Sequence, residues 1–268
     1  MNFPAEIAPV VDRLVLAVNT ASRAEAKDVF AAICAEEGID SAVYAGHYAE
    51  FLLAGRLTEE LAAARLNYVD SAVFIAALRK WADEAKTLAT GDRLVAGPGL
   101  ARLSETILGA RREAATRLWG EHRDGVDTAI GIIAPMLAAL PDHFVLAVEH
   151  AALPAPPDPF QRLHQHLTTM RYVRAQCHAE AWRSRGLHRD DIVAMTALWH
   201  GATLETVPPT LLERQLATAE GLTDQGVEMR RSIEDDTNTA NAPAFDPLDA
   251  AARASLFEAL QSLPGEPV

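Results

Sequence analysis

Apolar residues recur at spacings of three and four along nearly the whole chain, while an alternating apolar and polar pattern never runs beyond a few residues. That periodicity predicts amphipathic helices near 6–19, 23–37, 40–54, 58–87, 99–119, 124–139, 159–185, 188–201, 209–220, 223–238 and 247–262. The expected fold class is therefore all-α, a two-part helical bundle. The stretch Ala152 to Pro159 carries four prolines, which stop a helix and favour an extended connector. It divides the chain into an amino-terminal helical domain, 1–151, and a carboxy-terminal domain, 152–262, followed by a frayed tail, 263–268.

One helix breaks the pattern in an informative way. Across Pro157 to Trp182, at about 100° per residue, Leu163, Leu167, Met170, Cys177 and Ala181 fall within roughly 40° of one line on the helix surface. Arg174 falls on that same line. Arg171 and His178 project to one side, so the three residues form a cationic strip bordering the buried face. A guanidinium keeps its proton when buried and must meet a carboxylate, carbonyls or an anionic ligand. The strip either binds a small organic anion, with His178 as donor or proton acceptor, or forms an ion-pair network tying the two halves together. Asp70, set among Leu66, Phe74 and Ala77, is a candidate partner from the first half, or else bonds locally to a hydroxyl such as that of Tyr68. Tyr44, His47, Tyr48 and Phe51 share one helical face, which either lines a pocket or belongs to the core. Arg56 and His200 complete the candidate ligand-binding set.

Composition and charge narrow these readings. The chain has 268 residues, is 49% hydrophobic and 23% charged, and carries a formal net charge of −13. That excess of acid disfavours non-specific affinity for nucleic acid, which depends on neutralising phosphates. Only two cysteines are present, far apart, which fits reduced thiols in a cytoplasm. With no uncharged apolar run of bilayer-spanning length, no membrane partner is expected. His164 and His166 point about 200° apart on a helix and cannot share one ion, so no metal is expected. Gly97-Pro98-Gly99 does not extend to a dinucleotide fingerprint, and no cofactor is expected. Glu149, His150 and His143 precede the connector without a spacing that demands a role.

Two segments resemble the SalK-type actinobacterial proteins, described as helix-turn-helix or winged-helix regulators of unknown effector. ALPAPPDPFQRLHQHLTTMRYVRAQCHAEA is similar to that family's proline-bounded helix through Arg162, Leu163, Thr168, Arg171, Arg174 and His178. GLTDQGVEMRRSIEDDTN is similar to its post-wing helix through Leu222, Thr223, Gly226, Arg230, Ile233, Glu234 and Thr237. Between them, Leu198 to Thr203 resembles the family's histidine-containing helix end, and Ala54-Gly55-Arg56 is a weaker echo. The resemblance implies a carboxy-terminal half derived from a winged helix. The chain departs from the family in two places: Ala175-Gln176-Cys177 stands where relatives carry a glycine-rich GDG, and the region of the recognition helix, between Gln215 and Leu222, is shortened. The helix expected at 209–220 has Arg214 as its one cation, which makes DNA a doubtful partner. The function expected is that of a cytoplasmic small-molecule binder with a sensing or regulatory role. The alternative is an enzyme of specialised metabolism using His178, His47 or His200 as acid–base groups. A homodimer is compatible with both.

Overall fold

The computed structural model describes residues 2–39, 42–58, 61, 93–94 and 97–265, with backbone alone at 42–45, 47 and 93–94. Of the segment predicted as helix 58–87 only Thr58, which lies in a short strand, and Leu61 are described; Asp70 lies outside the described residues, as do the side chains of Tyr44 and His47.

The fold is all-α. Helix α1 spans Phe3–Glu37 and α2 spans Ala42–Leu53. The two helices expected at 6–19 and 23–37 are one, because the residues between them include neither glycine nor proline and Ala21 and Ser22 continue the buried face. Gly38 ends α1 with φ of 68°, the left-handed turn that glycine adopts freely. After two-residue strands at Leu57–Thr58 and Arg93–Leu94, which pair antiparallel, come α3 (Pro98–Trp119) and α4 (Arg123–Ala138). A seven-residue helix that periodicity did not show, α5 (Val145–Ala151), leads into the proline connector.

Helix α6 (Pro159–Arg183) begins where Asp158 caps it by accepting from the backbone of Gln161 at 2.8 Å, with Pro159 pre-set for the first turn. It is the central element and packs on α1, α3, α4 and α5. Then follow α7 (Arg189–Trp199), α8 (Pro209–Glu213), α9 (Asp224–Asn241) and α10 (Ala250–Gln261). Among the described residues two apolar cores result. The larger is drawn from residues 3–177 and 244–263, and the smaller from 179–233. Helix α6 belongs to both, passing from the first to the second between Cys177 and Ala179.

The helix expected at 209–220 stops at Glu213, after five residues. Gln215, at φ 56°, turns the chain left-handed, and the Leu216 amide closes the end on Leu211 O at 2.8 Å. The chain then doubles back: Ala217 pairs antiparallel with Leu222, and the Thr218 amide donates to Gly221 O at 2.8 Å. This wing-like reversal seats on α9 at Gly226, where a Cβ would lie 1.9 Å from Leu216 O. Residues 263–265 are held rather than frayed. Arg13 donates to Leu263 O at 3.0 Å, and the Trp119 indole donates to Pro264 O at 3.1 Å.

Candidate functional site

The cationic strip on α6 faces α1 and α9. Arg171 donates from Nε to Asp12 Oδ1 on α1 at 2.6 Å. Arg174, 21% exposed, donates to Asn238 Oδ1 at 2.9 Å and to Glu234, both on α9. Arg230, one turn before Glu234, donates to the other oxygen of the same carboxylate. His178 places Nε2 at 3.5 Å from Glu234 Oε1. Burial alone would raise the Glu234 carboxyl, but His178, Arg230 and Arg174 hold it well below the usual carboxylate range. Among the described residues the carboxylates seen to meet the strip are Asp12 and Glu234. A crevice of about 20 Å³ lies beside Arg171 and Arg174, walled by Ile7, Val11, Met170 and Phe245, which is room for about one water.

The other candidates are dispersed. Arg56 donates to Ala152 O at 2.9 Å and to Glu149 Oε2 at 3.0 Å, fastening the turn after α2 to the start of the proline connector. His200 is exposed at the end of α7, and among the described residues no side-chain hydrogen bond or ion pair joins it to His178. Cys177 is buried and its thiol is pushed up to about 12, chiefly by burial, which removes it as a nucleophile near neutrality.

A second group of polar side chains lies inside the larger core. Arg111 on α3 donates to Glu50 Oε1 on α2 at 2.9 Å and to Gly46 O at 2.6 Å, and each side chain of the pair is 11% exposed. His150 on α5 is fully buried and hydrogen-bonds through Nδ1 to Thr169 Oγ1 on α6 at 2.7 Å. Its ring also meets Tyr172 edge-on, centroids 4.8 Å apart. His164 on α6 is 3% exposed, and its Nε2 has no hydrogen-bond partner among the described residues. Burial, and after it Arg111, pushes this imidazole down to about 3, so it is uncharged near neutrality.

Sequence reasoning passed over Glu50, Arg111 and His150 as site residues and weighed His164 only as a metal ligand. Arg111 had the same signal as Arg174. It stands on a stripe with Ile107, Ala114, Ala115 and Leu118, all but Arg111 apolar and at helical spacing.

Among the described residues no His, Cys, Asp and Glu cluster is suited to a metal ion, and no helix is long and apolar enough to cross a membrane. The model of a family described as a helix-turn-helix family matches residues 61–265. No curated protein and no solved structure matches the chain.

Proposed function

The chain belongs to a helix-turn-helix family, and from that premise we propose that it is a cytoplasmic regulatory protein of the SalK type that responds to a small organic anion and does not read DNA through α8. The observation that carries this reading is the state of the helix that would enter a major groove. Five residues span about 7–8 Å, too short to lay successive side chains along base edges. Arg214, the one cation near it, donates to Arg185 O at 3.0 Å and is turned inward. From Leu187 to Asn241 ten acidic residues stand against four arginines, so the segment around α8 repels phosphates rather than gathering them.

Support for a ligand comes from the interior of the larger core. A buried ion pair and two buried imidazoles stand there at 11% exposure or less, a setting in which apolar residues of equal volume often serve stability as well, and buried titratable groups of this kind are candidates for a functional site. Two measurements test the proposal. A gel shift at low salt against the protein's own upstream DNA is expected to show no complex, and an Arg214-dependent complex overturns the claim about α8. Native mass spectrometry of protein isolated from its source is expected to show a retained small acid. A bare mass there, together with no thermal stabilisation by carboxylates, overturns the ligand reading.

A further inference from the structure

The crevice beside the cationic strip lies where three helices meet. Ile7 and Val11 of α1, Met170, Arg171 and Arg174 of α6, and Asn241, the last residue of α9, line it. Its polar wall is unsatisfied. Asn241 is 3% exposed, yet its side-chain Oδ1 has no hydrogen-bond partner among the described residues. Arg171 engages Asp12 through Nε, and Arg174 engages Asn238 and Glu234 through its two terminal nitrogens, so among the described residues N–H groups of both guanidiniums stand uncommitted.

Charge decides which kind of guest these groups suit. Arg171, Arg174 and Arg230 bring three positive charges to this junction, and the carboxylates that meet them, Asp12 and Glu234, bring two negative ones. That surplus disfavours a cation and favours an anion. The two ends of a side-chain amide have one shape, and a half-turn lets Asn241 present its NH2 to such a guest. Size then narrows the class. At about 20 Å³ the crevice holds one body of about the size of water, which leaves no room for the skeleton of an organic acid and admits a halide ion.

We propose that this crevice binds a single halide ion, chloride in a cell, through N–H groups of Arg171, Arg174 and Asn241 against the apolar walls of Ile7, Val11 and Met170. The ion ties α9, which carries the seat of the wing-like reversal at Gly226, to α1 and α6 of the larger core. This goes beyond the organic-anion reading and does not depend on it, since the two guests differ in size.

Thermal unfolding of the full chain in sodium chloride or bromide, against sodium gluconate at equal ionic strength, separates a seated ion from general screening. In 0.1 M chloride the midpoint is expected to stand about 2–5 °C above that in gluconate and to level off at higher chloride, the shift that about tenfold saturation of one site gives. Asn241→Leu and Arg171→Gln, each checked for native circular dichroism, are expected to lose most of this difference. Glu234→Gln, which leaves the crevice walls in place, is expected to keep it. Anomalous scattering from a crystal of the parent protein grown in bromide is expected to place the ion between Arg171 and Asn241. Equal midpoints in chloride and gluconate overturn the proposal, as does a bromide-grown crystal with no peak in the crevice, or a chloride response that both crevice variants retain in full. None of these results alters whether a small acid is retained in native mass spectrometry, so the wider reading is decided separately.

Discussion

Arg111 and Glu50 meet at 2.9 Å, each side chain 11% exposed, and are the ion pair through which α3 and α2 touch inside the core. Breaking such a pair from one side is more costly than removing it whole, because the survivor stays charged and buried. Glu50→Leu is expected to cost about 3–5 kcal/mol. Adding Arg111→Met to it is expected to recover at least about 1 kcal/mol of that loss. Urea unfolding of the two single variants and the double variant checks this, and simple additivity would show that the two groups are not coupled.

His164 makes the protein sensitive to mild acid. Its imidazole takes a proton at about 3 in the folded chain, because of burial first and then Arg111, against an ordinary 6.5 when unfolded. The unfolded chain thus binds the proton more readily. Stability is unaffected by this group above about pH 6.5 and is lost as the pH falls from there towards 3, by up to about 1.4 kcal/mol per unit. His166, held down to about 4 by burial and Arg162, adds to the loss between 6.5 and 4. Urea midpoints measured from pH 7.5 to 4.5 are expected to fall, and His164→Phe to flatten the slope by about one proton.

Glu234 acts in a lower window. Its carboxyl is held below its ordinary 4.5 in the folded chain, so its contribution is complete above about that pH and is lost as the pH drops further. Glu234→Gln leaves Arg174 and Arg230 without their shared carboxylate. With Glu234 31% exposed, the cost is expected near 1–3 kcal/mol, below that of a fully buried break. Thermal unfolding at pH 7 checks the size, and a variant as stable as the parent would show that solvent replaces the carboxylate.

Gly226→Ala is expected to destabilise by about 2 kcal/mol or more, because the new Cβ meets backbone, Leu216 O at 1.9 Å, and backbone of the wing-like reversal cannot swing aside. Gly131→Ala, on α4 with nothing within 4 Å, serves as its opposite and is expected to stabilise by about 0.5–1 kcal/mol. Chemical denaturation of both variants separates packing from helix propensity.

The helices of this protein were written in its spacing of apolar residues, and α3, α4 and α6 begin and end within two residues of their predicted bounds. Two kinds of feature were not. Local turns decided by one residue escaped periodicity: Gln215 in a left-handed conformation ends α8, although Ala217 and Ala219 beyond it favour helix. Partners across elements escaped as well. That Arg174 needed a counter-charge followed from its place on an apolar stripe, but its choice of Glu234 depends on how α9 is laid against α6. The interior group shows both limits together, since Arg111 was visible by the same rule and Glu50, 61 positions away, was not.

The larger core closes with residues from both ends of the chain, for Phe3 meets Phe245 edge-on at 5.3 Å and Arg13 holds Leu263 O. The smaller core, complete by Ile233, lies wholly between them. During synthesis from the amino terminus, the smaller core therefore has all its residues before its host has its last helix. The body that encloses the buried histidines is finished only once residues 244–263 have been made.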